Sequence, residues 1–122
     1  MPKKILLVDD DAGEHLVIVP ILSKAGYTVI SAKNGEQALQ LVFPERPDLI
    51  ILDFTMPVMN GLEAAKTLRS MMPEVPLILF TVHRSANLDS DASVAGINAV
   101  ISKVEGVTAL IDRVRSLLLE PA

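Results

Sequence analysis

Short apolar runs alternate with stretches whose apolar positions recur every three to four residues, and the alternation repeats five times along the 122-residue chain. Compact apolar runs read as strands buried on both faces, whereas three-to-four spacing reads as a helix with one face turned inward. The runs predict strands over 4–8 (Lys-Ile-Leu-Leu-Val), 27–31 (Tyr-Thr-Val-Ile-Ser), 48–53 (Asp-Leu-Ile-Ile-Leu-Asp), 77–82 (Leu-Ile-Leu-Phe-Thr-Val) and 98–102. Helices are predicted over 12–25, from Asn34 to about Phe43, over 62–71, over 87–95 and over 106–119. Gly26 is placed to stop the first helix, and Asn34 to cap the second, which Pro44 and Pro47 end. Pro20 lies inside the first helix, where a proline costs about 3 kcal/mol, so packing rather than propensity must hold that segment. The periodicity turns Val17, Ile18, Ile21, Leu22 and Ala25 inward and leaves Leu16 and Val19 outward, as a candidate partner surface.

Five strand–helix units of this length require crossover connections and hence a parallel sheet. The expected architecture is one α/β domain over residues 1–122, with no repeat or linker. Half the residues are apolar but only 3% are aromatic, so the core must be built from Ile, Leu, Val, Ala and Met. The chain has no cysteine, which removes disulfides and thiolate metal sites and suits a reducing cytoplasm. No apolar run has the length of a secretory signal or a membrane span. With a net charge of −4 and no basic cluster, direct nucleic-acid binding is not expected.

In an open parallel sheet, ligands collect beyond the carboxyl ends of the strands. Those ends carry Asp9-Asp10-Asp11, Asp53, Thr81 and Ser102-Lys103. Each has an ordinary reading alone: an aspartate as a turn or cap, a threonine as a β-branched strand residue, a lysine as a solvated end. Asp11 suits a helix cap better than a ligand. Together they carry more. Converging carboxylates repel one another until a hard divalent cation such as Mg²⁺ neutralises them. Lys103 adds a second positive charge and Thr81 a hydroxyl donor. That environment suits a phosphoryl group on a carboxylate oxygen, with Asp53 as the nucleophile.

The segments Leu7-Val8-Asp9-Asp10, Leu52-Asp53-Phe54-Thr55-Met56-Pro57-Val58-Met59-Asn60-Gly61, Phe80-Thr81 and Ser102-Lys103 resemble the receiver domains of two-component response regulators. The second resembles that family's D-x-x-M-P-x-M-[DN]-G motif, and the likeness covers the whole chain. The resemblance implies a flavodoxin-like fold with strand order 2-1-3-4-5 and phosphorelay signalling in which Asp53 becomes the 4-aspartylphosphate. It implies Mg²⁺ (or Mn²⁺) on Asp10, Asp53 and the Thr55 backbone carbonyl, with Asp9 acting through water. Thr81 would bond the phosphoryl group, and Lys103 would pair with it or with the carboxylate. The implied donor is a sensor histidine kinase or phosphotransfer protein. The implied output is a switched face of fourth helix, fifth strand and fifth helix, acting on a downstream effector. A homodimer stays open.

Three positions depart from the family pattern. Val100 stands where an aromatic side chain commonly couples to the threonine, Val104 replaces a proline after the lysine, and Val82 is bulkier than the usual small residue and is expected to narrow access to Asp53. His83 and Thr55 stand where the family tunes dephosphorylation. Two rivals carry different expectations. A haloacid-dehalogenase-type phosphatase would need an acid two residues after Asp53, where Thr55 stands. A receiver-like interaction module would not be phosphorylated, yet this chain keeps every acidic position and Lys103. The chain is thus expected to be a phosphoprotein with intrinsic self-phosphorylation and self-dephosphorylation chemistry rather than a turnover enzyme.

Overall fold

Strands β1 (Lys4–Val8), β2 (Thr28–Ala32), β3 (Leu49–Leu52), β4 (Leu77–Thr81) and β5 (Ala99–Ser102) form one parallel sheet in the order β2-β1-β3-β4-β5. Five helices connect or follow them: α1 (Ala12–Lys24), α2 (Gly35–Glu45), α3 (Gly61–Met71), α4 (Ala86–Val94) and α5 (Val107–Leu117). The computed structural model describes residues 2–56, 58–82 and 84–118. The flavodoxin-like order expected from the sequence is the order observed.

Alternate residues of each central strand serve opposite faces, as a two-residue period demands. Leu6, Val8, Ile50, Leu52, Leu77 and Leu79 pack with Ala38 and Val42 of α2, Ala64, Ala65 and Leu68 of α3, and Leu88 and Ala92 of α4. Ile5, Leu7, Ile51, Ile78, Phe80 and Ile101 pack with Ile18 and Leu22 of α1 and with Leu110 and Val114 of α5. β3 and β4 are buried on both faces, which is why their sequences are unbroken apolar runs rather than alternating ones.

Two local expectations are corrected. α2 continues through Pro44 to Glu45 and is capped by Arg46, which adopts a left-handed conformation with φ 50°. A proline there deletes a bond to the Gln40 carbonyl, but both residues are exposed, so that carbonyl is open to solvent and the loss costs little. In α1, Val17 is 55% exposed while Val19 packs against the core. The buried pair Ile18 and Leu22 sets the inward line of the helix and turns Val17 to the solvent side with Leu16. The chain also continues helically across the exposed Pro20.

Arg69 ties the end of α3 to the β4 and β5 side of the sheet. Its guanidinium donates to the carbonyls of Met72, Pro73, Val75 and Gly96 and to Asn98 Oδ1, which also accepts from the Leu77 N–H. These bonds fix the entry to β5, the strand that carries Lys103 at its far end.

Candidate functional site

The carboxyl edge of the sheet is where the backbone ladder runs out and side chains take over. The Asp9 N–H still donates to the Ala32 carbonyl (3.1 Å) and the Asp53 N–H to the Val8 carbonyl (3.0 Å). Both aspartates are therefore held by neighbouring strands while their side chains project beyond the edge. Asp9 is 3% and Asp53 9% exposed. Asp10, one residue on, is exposed. One carboxylate oxygen from each of Asp9, Asp10 and Asp53 lies within 4.8 Å of the other two.

Asp11 does not join them. Its side chain accepts from the Gly13 N–H at 2.8 Å and caps α1, while its own N–H donates to Asp9 Oδ1 at 2.9 Å. Asp9 is further fixed by His15, whose Nε2 lies 2.7 Å from the Asp9 carbonyl oxygen while Nδ1 lies 3.2 Å from Ser31 Oγ.

Lys103 begins a 3₁₀ turn (Lys103–Glu105) directly after β5 and reaches back over the sheet edge. Its Nζ is 3.4 Å from Asp9 Oδ2, 3.6 Å from Asp53 Oδ1 and 3.6 Å from Glu14 Oε1, and 5.7 Å from the centre of the Phe80 ring. Thr81 ends β4 opposite Ser102, is 3% exposed, and lines the same cleft of about 600 Å³ as Asp53 and Lys103.

The pKa of Asp53 is raised from 3.8 to about 6, and burial is the largest cause. Repulsion from Asp9 and Asp10 contributes in the same direction, while Lys103 and the Thr55 backbone N–H work against it. Burial also works against the charge on Lys103, yet Asp53, Asp9 and Glu14 outweigh it and raise its pKa above the usual lysine value. The site is a knot of carboxylates facing one ammonium. Its donors are oxygens alone, on carboxylates already brought within 4.8 Å, which fits a hard divalent cation rather than a soft metal.

The β3–α3 loop holds Asp53 against its neighbours with little room. Gly61 opens α3, and its N–H donates to the Phe54 carbonyl at 2.9 Å. A β-carbon at Gly61 would lie 2.5 Å from the Asp53 carbonyl oxygen. The Asn60-Gly61 pair thus combines a cap and a close approach: Asn60 closes a reciprocal box with Glu63, and Gly61 lets the helix start beneath the aspartate.

The sequence matches the response regulator receiver domain model over residues 5–115. The chain belongs to that family. The receiver domain is 36% identical over 118 residues to the response regulator MprA of Mycolicibacterium vanbaalenii, covering 97% of this chain and 51% of that protein. It therefore spans about half the length of that relative. It is 31% identical to the sporulation initiation phosphotransferase F of Bacillus subtilis, over 97% of this chain and 95% of that one. Among solved structures it superposes on the chemotaxis protein CheY4 of Vibrio cholerae with a TM-score of 0.91 at 28% identity, covering 96% of this chain and 99% of that one. It also superposes on TrrA of Thermotoga maritima, solved in complex with Mg²⁺-BeF, with a TM-score of 0.86 at 33% identity, covering 94% and 98%.

Of the positions singled out in the receiver sequence, Asp9, Asp10, Asp53, Thr55, Thr81, Val82 and Lys103 all line the one cleft. Val82 is 53% exposed at its edge, and Val104 is 84% exposed on the turn after Lys103. Val100 does not reach the cleft: it is half-buried against the core on the α4 side and lines a separate groove with Arg84, Asp89 and Arg113. His83 lies outside the described residues. Glu14 was missed. The signal that could have found it is the spacing Asp11-x-x-Glu14, which puts an acidic side chain in the first turn of α1, next to the strand-end aspartates. Among the described residues no helix is long and apolar enough to cross a membrane.

Proposed function

We propose that this receiver domain is a phosphoacceptor in a cytoplasmic phosphorelay, taking its phosphoryl group on Asp53 from a sensor histidine kinase or phosphotransfer protein. The observation that supports this best is the placing of Lys103 Nζ 3.6 Å from Asp53 Oδ1, beside three carboxylate oxygens within 4.8 Å of one another. Asp10, Asp53 and the Thr55 carbonyl would hold Mg²⁺ or Mn²⁺, with Asp9 engaged through water. A bound cation supplies charge neutralisation for the carboxylates and the incoming phosphoryl oxygens.

An ionised Asp53 oxygen attacks phosphorus, forming a P–O bond as the P–N bond of the donor phosphohistidine breaks. The departing imidazole nitrogen takes the electron pair. Lys103 pairs with a phosphoryl oxygen, and the Thr81 hydroxyl donates to another. Asp9 and Asp53 are both fixed through their backbone N–H groups, so the reacting oxygen is oriented before the donor arrives. The face formed by α4, β5 and α5 would report the change to an effector. The whole of residues 1–122 would act as this single unit. The reaction consumes one phosphoryl group per chain, so the domain is itself the substrate, with self-dephosphorylation returning it to the starting state.

Incubation with Mg²⁺ and a small phosphodonor such as acetyl phosphate, read by intact mass, tests the reading. Wild type should gain one phosphoryl mass and Asp53→Ala none. Wild type that stays unmodified while binding Mg²⁺ would favour the unphosphorylated interaction module instead.

A further inference from the structure

Among the described residues, three helix starts carry a capping residue followed three positions later by glutamate, and two of them close. Asn60 and Glu63 exchange bonds of 3.0 and 3.1 Å at the start of α3. Ser102 and Glu105 do the same at the turn after β5, where the Ser102 N–H donates to Glu105 Oε2 at 2.9 Å. Asp11 and Glu14 have that spacing at the start of α1. There the Asp11 N–H is already taken by Asp9 Oδ1 at 2.9 Å. Glu14 has no cap N–H to close on, and its carboxylate extends instead to Lys103 at 3.6 Å.

We propose that Glu14 is a positioning residue that holds Lys103 on the α1 side of the cleft and thereby opposes its transfer to a phosphoryl group on Asp53. This deepens, and rests on, the reading of Asp53 as the acceptor. Lys103 Nζ is the same 3.6 Å from Glu14 Oε1 as from Asp53 Oδ1, so the two carboxylates share one ammonium. Glu14 stands outside the group of three carboxylates suited to the cation. When that group is neutralised, the hold of Asp9 and Asp53 on Lys103 weakens and that of Glu14 does not. Glu14 stands in the first turn of α1, so its carboxylate is held on that side of the cleft by the helix as well as by Lys103. A phosphoryl group must therefore draw Lys103 away from Glu14. The Glu14 side chain is 30% exposed, which limits the competition to a modest factor.

The test uses beryllofluoride, formed from beryllium chloride and sodium fluoride, titrated into the intact chain at saturating Mg²⁺ with bound fluorine followed by NMR. Glu14→Gln should bind it about two- to fivefold more tightly than wild type, the range of a partly exposed ion pair. Glu14→Asp keeps the charge but loses a methylene of reach, and should shift the same way. Unchanged or weaker binding by Glu14→Gln overturns the proposal. So does a Glu14→Asp variant that matches wild type, because the charge would then act across space and not through its grip on Lys103. Wild type that binds Mg²⁺ but no beryllofluoride sinks the acceptor reading itself, a result distinct from either.

Discussion

Gly61 approaches Asp53 so closely that a single added β-carbon would stand 2.5 Å from the Asp53 carbonyl oxygen. The same carbon would lie 2.9 Å from Leu79 Cδ1 and 3.0 Å from Phe54 Cα. Backbone cannot give way there as the end of a flexible side chain can. Alanine normally stabilises a helix relative to glycine by up to about 1 kcal/mol. At this position the sign should reverse. Gly61→Ala is expected to destabilise the domain by about 1–3 kcal/mol, the cost of overpacking, and to slow phosphorylation of Asp53. Urea unfolding and an intact-mass time course with acetyl phosphate would check both. A neutral or more stable variant would show that the loop is free to move.

The raised pKa of Asp53 makes metal-free stability depend on pH in a definite direction. The folded form holds its proton up to about 6, against an ordinary value of 3.8. This group therefore favours the folded state fully below the lower value and progressively penalises it as pH rises through about 6. The penalty at pH 8 is at most about 3 kcal/mol. Asp53→Asn removes it. With the metal chelated, the variant should be the more stable protein at pH 8, and its advantage should shrink to about a third near pH 4.5. Mg²⁺ should then stabilise wild type much more than Asp53→Asn. Parallel denaturation curves at the two pH values, with chelator and with Mg²⁺, decide the matter. An advantage independent of pH would mean that Asp53 is not the titrating group.

Val58 has φ 70° and is 99% exposed. A β-branched side chain in the left-handed region is strained by about 1–2 kcal/mol, and with no burial there is no packing to offset it. Val58→Gly relieves the strain at some entropic cost in the unfolded chain. A net gain of about 0.5–1 kcal/mol is expected, seen as a higher urea midpoint with an unchanged slope. Val58→Asn should gain less. If both variants lose stability, the valine has a contact partner in solution.

The sheet was legible because burial on two faces leaves no choice of residue: Leu49–Leu52 and Leu77–Thr81 can hardly be anything but central strands. The acidic edge was legible for a related reason. An aspartate directly after a buried run must sit where the strand ends, so sequence position became spatial position for Asp9, Asp53, Thr81 and Lys103. The face of α1 was less legible. Its apolar residues nearly encircle the helix, so Val17 and Val19 could be exchanged without violating periodicity, and only docking against the sheet chose between them. Pro44 misled because a proline's penalty depends on whether the orphaned carbonyl is wet. Glu14 was hidden by a competing local rule. Its spacing from Asp11 describes a closed cap, and nothing in the one-dimensional pattern says that Asp9 has already claimed the amide.

The exposed apolar patch on α1 differs from the one expected, and this changes the test of a partner surface. Leu16 is 77% and Val17 55% exposed on consecutive positions, and Leu16 lines a groove that shares Asp9 and Asp10 with the cleft. Adjacent exposed aliphatic side chains near a reacting group provide apolar contact area for a protein donor and none for a small molecule. Leu16→Glu and Val17→Glu should each leave acetyl phosphate labelling within about twofold of wild type. Transfer from a phosphorylated histidine-containing donor protein should fall about tenfold, the loss of one anchor side chain at an interface. The comparison is made within each variant, so any change in folding or in Mg²⁺ binding cancels between the two donors. Equal loss with both would place the effect in the acceptor site and not on the helix surface, and no loss with either would leave α1 without a part in donor docking.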